Sequence, residues 1–175
     1  MAAGPAARQE SRAFTSREFR DTLGGFASGV TVITTRGEDH AYGMTASAFS
    51  SVSLDPPLIL VCIGLSAAGS EMIRRNGVFA VNILGAQQEP ISRFFASKDR
   101  PRGRDAFRGV PHREEVTGAP ILEGVAGFVD CDVHQVHEVG DHLIFIGEVV
   151  ALGNDPDIEP LLFHGGSYGF ISKPG

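Results

Sequence analysis

The sequence predicts a mainly β protein: an antiparallel barrel, closed or nearly closed, with a few short flanking helices. Three observations predict it. Apolar, β-branched runs such as "VTVITT" and "LILVCI" recur along the chain, while helical periodicities are few and short. The turns between strands are too short for the crossovers that parallel pairing needs. Six or more such strands satisfy their edges most readily by closing on themselves. With 175 residues the chain can bury one real core but not two comfortable ones.

The elements follow in order. "MAAGPAARQESR" is rich in Ala, Gly and Gln and reads as a flexible tail over 1–14, ahead of a single domain over 15–175. Thr15 with Glu18 three residues later is a capping box, and Phe19, Leu23 and Phe26 share one helical face that Gly29 ends. "VTVITT" (30–35) is a strand and "RGEDHAYG" its turn. Residues 41–49 and 57–63 read as a strand pair split by Asp55-Pro56-Pro57, where the prolines cannot donate to a ladder. "SEMIRRNG" is a short helix with Ser70 as N-cap and Asn76-Gly77 as its stop. "VFAVNIL" is a strand, and "QEPISRFFAS" a helix with Pro90 in its first turn. "KDRPRGRDAFRGVPHREE" is polar, basic and broken by Pro and Gly, hence a surface loop. Two long strands, "VAGFVDCDVHQVHE" and "HLIFIGEVVALG", are joined by the very short "VGD", and "PLLFHGGSYGFI" closes the chain. The strand "LIFIGEVVAL" is apolar on both faces, so a helix or a second subunit must cover one of them. The helices look too small for that, which points to a homodimer.

Composition narrows the function. A formal net charge of −6 argues against nucleic acid or an anionic membrane as partner. No apolar run reaches the ~18 residues of a membrane span, and the N-terminus lacks a signal-peptide core, so the expected location is the cytoplasm. Cys62 and Cys131 sit inside apolar strands and read as buried free thiols. No G-x-G-x-x-G follows a strand, and neither a P-loop nor a G-x-S-x-G elbow occurs. His134 and His137 form an H-x-x-H, but i and i+3 on a strand point to opposite faces, so no metal is expected.

The stretch Met44–Ser53 is unusual for a strand because its side chains are small and hydroxylated. A planar aromatic cofactor needs a flat surface and close access to backbone N–H and C=O groups. Ala46 and Ala48 allow that approach, while Thr45, Ser47 and Ser50 supply hydroxyls for a ribityl chain or phosphate. The Ser-rich "GLSAAGSE" at a helix start is a natural phosphate site.

Five stretches in this order, "FASGVTVITT", "GMTASAFSSVSLDPPLILVCI", "FAVNIL", "GDHLIFIGEV" and "PLLFHGGSYG", resemble the short-chain flavin reductases of two-component flavin-dependent monooxygenases, over about residues 17–171. The resemblance implies a split β-barrel of the FMN-binding, Greek-key-like antiparallel type. It implies an NAD(P)H:flavin oxidoreductase, NADH the more expected donor, that transfers a hydride to free FAD or FMN and supplies a partner monooxygenase by diffusion. A non-catalytic flavin-binding protein is the alternative on the same barrel. By the same resemblance, Gly43, Met44, Thr45, Ala46, Ser47, Ser50, Ser51, Cys62, Ile63, Gly64, Ser66, Ser70, Phe95, Ala96 and Ser97 surround the flavin, with "RFFAS" at the ring edge. Gly140, Asp141, His142 and Tyr168 meet the nicotinamide nucleotide, His142 positioning it. Gly140 suits a sharp hairpin turn, and His142, starting a strand, can project from the barrel rim. Tyr168 can stack on a ring or merely pack. Relatives often carry a basic residue where Gly165, Gly166 and Ser167 stand here, so Lys98, Arg100 or Arg102 becomes the alternative phosphate contact. Which serines face the ligand depends on strand register.

Overall fold

The computed structural model describes residues 14–37, 41–101 and 103–171. The expected tail, apart from Phe14, and Arg102 lie outside the described residues. Helix α1 spans Ser16–Gly24, opened by the Thr15–Glu18 capping box. It stops at Gly25, four residues before the expected Gly29, because Ser28 and Gly29 form a short strand, β1, paired with Phe163 and Leu162. Next come β2 (Thr31–Arg36), β3 (Ala41–Ala46), β4 (Phe49–Leu54) and β5 (Pro57–Gly64). Helix α2 (Ala68–Asn76), β6 (Val78–Ile83) and α3 (Glu89–Ala96) follow. The chain continues with β7 (His112–Glu114), β8 (Pro120–Leu122), β9 (Gly127–Val139), β10 (His142–Asn154), β11 (Leu162–His164) and β12 (Ser167–Gly169).

Seven strands form one antiparallel sheet in the order β3-β2-β6-β9-β10-β5-β4. The ladder is not closed: β3 and β4 are its two edges, and only Ser47–Ala48 connects them. That is a split barrel with a few flanking helices, as the sequence implies. It also corrects the expected 41–49 strand. Residues 41–46 pair with β2, while 49–54 pair with β5 on the far side of the seam. The turn at Asp55-Pro56 is as expected, with β5 starting at Pro57.

The barrel interior is filled by Ile33, Ile59, Val61, Ile63, Phe79, Val81, Leu143 and Phe145, and capped by Ile73 of α2. A second core lies outside the sheet, where Phe95 of α3 packs with Val32, Leu84, Phe107, Val110, Leu122 and Leu161. Ala106, Phe107 and Val110 therefore correct the reading of 98–115 as a plain surface loop: the backbone is at the surface, but three apolar side chains turn inward to cover sheet. Strand β7 inside this segment, which pairs with β8 beyond it, had no period long enough to announce it.

The long hairpin of β9 and β10 turns at Gly140–Asp141, with Gly140 at φ 62°, the left-handed conformation that glycine adopts at no steric cost. Leu143 and Phe145 point into the barrel, while Val150 and Leu152 stay exposed on the part of β10 that no helix covers.

Candidate functional site

Alternation along β3 divides its residues between two environments. Gly43 faces outward beneath Phe95 and Phe107. A Cβ there would lie 2.5 Å from Cε1 of Phe95, so only glycine lets helix α3 sit this close. Met44 faces the other way, into the barrel core and against Gly69 of α2. Thr45 returns to the α3 side, where its hydroxyl donates to the Ser92 carbonyl at 2.7 Å. Ala46 ends the strand and Ser47 is exposed.

Beside this strand end lies a cleft of about 250 Å³ lined by Val30, Thr45, Ala46, Ser47, Ser92, Ala96, Phe163 and Tyr168. The β11–β12 hairpin forms one wall. Tyr168 meets Phe163 edge-to-face at 5.2 Å, shares a 2.9 Å hydrogen bond with the Ser92 hydroxyl, and carries the Arg93 guanidinium 4.9 Å above its ring. Tyr168 is thus a packed wall of the cleft. Ser92, Val30 and Phe163 are cleft residues that the sequence reading missed. Ser92 had a signal, standing one turn before Ala96 on the same helix face.

The rest of the expected site follows from the strand registers. The backbone N–H of Cys62 donates to the Ala48 carbonyl at 3.0 Å, which sets the Ser47–Ala48 link against the end of β5. Gly64 stands opposite His142 at the start of β10, and the Leu65 N–H donates to the Asp141 carbonyl. A Cβ on Gly64 would lie 4.0 Å from Nε2 of His142, so the imidazole edge lies near this glycine. The other ring nitrogen, Nδ1, is 2.7 Å from Oδ1 of Asp141. This hydrogen bond, and then the imidazole's charge, holds the Asp141 carboxyl below the usual carboxylate value. The ends of β3 and β5, the Ser47–Ala48 link and the Gly140–Asp141–His142 turn therefore form one continuous arc of barrel rim.

Several expected ligand contacts are changed by packing. The Phe95 ring, expected at a ligand's edge, is only 1% exposed and lies in the outer core, edge-on to Phe94 and tilted against Phe107. Ile63 is buried inside the barrel, so only its backbone reaches the rim. Ser70 is not the N-cap of α2, which is Ala67. It lies in the first turn, where its hydroxyl donates to the carbonyls of Leu65 and Ala67 and leaves nothing for a phosphate. Ser97 caps the end of α3 and its hydroxyl accepts from the Asp99 N–H. Ser50, Ser51 and Ser66 are exposed. Arg100 donates to the Tyr42 hydroxyl and the Ser97 carbonyl, while Gly165 and Gly166 form the tip of the β11–β12 hairpin.

Both cysteines are free, but they differ. Cys62 is half-buried at the rim, and burial raises its pKa. Burial, then Asp130 and Asp132, push the Cys131 thiol up to about 12. His134 lies 3.6 Å from Glu148 and His137 bonds Gln135, so the two imidazoles have separate neighbours. No helix among the described residues is long and apolar enough to cross a membrane.

Residues 23–172 match the family model of the flavin reductase like domain. Over 152 residues the chain is 41% identical to an NADH-dependent FAD reductase of Streptomyces globisporus, covering 86% of this chain and 83% of that one. It is 39% identical over 154 residues to the reductase subunit HsaB of a flavin-dependent monooxygenase from Mycobacterium tuberculosis, covering 87% and 80%. The solved structure of the Streptomyces globisporus NADH:FAD oxidoreductase SgcE6, in complex with NAD and FAD fragments, superposes with a TM-score of 0.83 at 38% identity, covering 89% of this chain and 92% of that one.

Proposed function

The chain belongs to the flavin reductase like family, and from that premise we propose that it is an NADH-dependent flavin reductase, the hydride-supplying component of a two-component flavin-dependent monooxygenase. The observation that carries this reading is the run of barrel rim that leads from the cleft beside Ala46, through Ser47–Ala48 and Cys62–Gly64, to the Gly140–Asp141–His142 turn.

The residues fit a flavin. Val30, Ala46, Ala96 and Phe163 give the cleft a shallow apolar lining against which a planar ring can lie, and Ser47 opens at its mouth. When bound, NADH and the flavin, FAD or FMN, would supply the hydride donor and acceptor and so the redox chemistry. The protein's contribution is alignment. Asp141 holds Nδ1 of His142 and leaves Nε2 to position the nicotinamide above the rim. The backbone N–H groups of Ser47 and Ala48, which find no acceptor among the described residues, are the hydrogen-bonding groups available at the ring's polar edge. Ser50, Ser51 and Ser66 are the hydroxyls left available for a flavin tail. The cleft is open to solvent, which suits delivery of reduced flavin to a separate oxygenase by diffusion.

The protein acts as a homodimer in this reading. Leu54 is 95% exposed, Phe26 81% and Leu152 68%, and the chain's own helices cover none of them. Burying such surface against a second copy supplies roughly 25 cal/mol per Å² of apolar area.

Mixing the protein with NADH and free FAD or FMN tests the proposal. Flavin-dependent loss of NADH absorbance is expected, and its absence with both flavins overturns the reading. His142→Ala should raise the KM for NADH several-fold while leaving flavin affinity within twofold. Flavin binding without any NADH oxidation, in both the wild type and this variant, would favour a non-catalytic flavin carrier.

A further inference from the structure

The cleft beside Ala46 has walls that belong to two separate sheets. One wall, Thr45 and Ala46, is the end of β3 in the seven-stranded sheet. The other, Phe163 and Tyr168, is the β11–β12 hairpin, whose only other partner strand among the described residues is β1. The base of the hairpin is tied to the barrel, because the Val30 N–H donates to the Leu161 carbonyl and the Leu161 N–H to that of Leu84. Its tip meets the end of α1, where the Gly165 N–H donates to the Gly24 carbonyl at 2.9 Å. The two strands have three residues each. No strand pairing among the described residues joins them to β3, so the distance from Tyr168 to β3 is left to side chains.

Ser92 spans that gap. It lies on α3 and is 0% exposed. Its carbonyl accepts from the Thr45 hydroxyl at 2.7 Å, and its own hydroxyl is 2.9 Å from that of Tyr168. One residue therefore holds both walls. Tyr168 is the only partner of the Ser92 hydroxyl among the described residues. A buried hydroxyl that loses its partner keeps its desolvation cost, so the pair resists separation. The Arg93 guanidinium lies 4.9 Å from the centre of the Tyr168 ring and is itself held by Glu89 at 2.7 Å.

We infer that Ser92 is a positioning residue: with its hydroxyl on Tyr168 and its carbonyl on Thr45, it sets the width of the cleft before a flavin enters. The inference rests on the flavin reductase reading of that cleft. A flavin ring that meets a wall already fixed does not have to immobilise the Tyr168 side chain, and it binds more tightly for that reason. Ser92 acts through Tyr168 and not on the reacting atoms.

The experiment compares the wild type with Ser92→Ala, Tyr168→Phe and the double variant. Tyr168→Phe keeps the ring and removes the same hydrogen bond from the other side. Flavin fluorescence titration gives the affinities for FAD and FMN, and initial rates give the KM for flavin and for NADH. Near-UV circular dichroism reports how firmly the tyrosine rings are held in the free protein. The chain has two tyrosines and no tryptophan, so the difference between the wild type and Tyr168→Phe defines the share of Tyr168 in that band. Ser92→Ala should lose much of this share. Each single variant should bind both flavins roughly three- to tenfold more weakly, the effect of ordering one side chain, and leave the KM for NADH within about twofold. The KM for flavin should rise to match. The double variant should be no weaker than the worse single, because all three lose one and the same bond. A merely structural Ser92 gives another result: the Tm falls, while flavin affinity well below the Tm and the tyrosine band stay as in the wild type. That result overturns the inference. So does a double variant whose loss is the sum of the two singles, which makes the hydroxyls separate ligand contacts. If Ser92→Ala does not fold, Tyr168→Phe decides alone: the same weakening of flavin supports the inference and an unchanged affinity overturns it. Failure of the reductase reading looks different: the wild type binds neither flavin and does not oxidise NADH, whatever the tyrosine band shows.

Discussion

Strands β3 and β4 are consecutive, equal in length and similarly rich in small side chains, yet their surroundings are opposite. β3 is covered on both faces, by α3 over Gly43 and Thr45 and by the barrel core and α2 at Met44. β4 sends only Phe49 inward and leaves Ser50, Ser51, Val52 and Leu54 exposed. The same residue sizes therefore serve different ends. On β3 small side chains admit close packing, and on β4 they leave a bare edge. The candidate site begins where the chain passes from one to the other, at Ser47–Ala48.

The largest test of this contrast is at the helix that covers β3. Phe95→Ala removes a fully buried ring from the outer core and should cost about 3–5 kcal/mol of stability by urea unfolding. Leu54→Ala, on bare β4, should stay within about 0.5 kcal/mol for the monomer fold. Similar losses at both positions would erase the distinction. Next in size is Gly43→Ala. Its new Cβ would crowd the Phe95 ring at 2.5 Å, an overpacking that costs about 1–3 kcal/mol. Gly64→Ala, whose nearest neighbour would be 4.0 Å away, should leave stability almost unchanged and act on NADH kinetics through His142.

Much of this architecture was legible in the sequence. The Thr15–Glu18 box, the Pro90 turn, the Asp55-Pro56 turn and the Gly140 hairpin all fall where their local chemistry puts them. Each is a local signal carried by the residues that form the feature. The break between β3 and β4 was not legible. Ser47–Ala48 contains no Gly, Pro, Asn or Asp, and the small-residue pattern runs through it without change. What divides the strand is the curl of a seven-stranded sheet, set by pairings far away in the chain. Phe107 was hidden for a related reason. A lone aromatic in a basic, proline-broken segment has no period, and only the outer core around Phe95 and Gly43 gives it a place to go. Strand pairing sets Ala46, Cys62, Gly64 and His142 along one stretch of rim, a neighbourhood that spacing in the sequence does not state. Ser70, Ile63 and Phe95 were not distinguished from truly available residues, because a motif gives position along the chain but not the direction of a side chain.

A smaller effect separates the hydroxyls of the two strands. Thr45→Val keeps shape and deletes the 2.7 Å hydrogen bond to the Ser92 carbonyl, which should cost about 1 kcal/mol and loosen α3 over the cleft. Ser50→Ala on β4 loses only a 3.2 Å contact to the next residue's carbonyl and should change stability by less than about 0.5 kcal/mol. If Ser50 meets the flavin tail, that variant shows its effect in flavin titration instead. A Thr45→Val protein as stable as the wild type would mean that β3 is no more firmly held than β4.

The smallest effect lies on the rim, where Asp141 and His142 form an exposed pair. The Asp141 carboxyl is held below its ordinary value, first by the hydrogen bond from His142 and then by the imidazole charge. A depressed folded-state pKa means that the unfolded chain binds more protons as pH falls. The pair's contribution is therefore complete above the ordinary carboxylate range and disappears as pH drops through the lowered value. The Tm difference between the wild type and Asp141→Asn should be small and positive at neutral pH and vanish in acid. A difference that stays constant with pH would assign it to something other than the carboxylate. Because both side chains face solvent, the pair adds little to the fold. Its main consequence is the direction of the imidazole, so Asp141→Asn should disturb the KM for NADH far more than the Tm. The rim beside β4 is then ordered for chemistry in the way that β3, under Phe95, is ordered for stability.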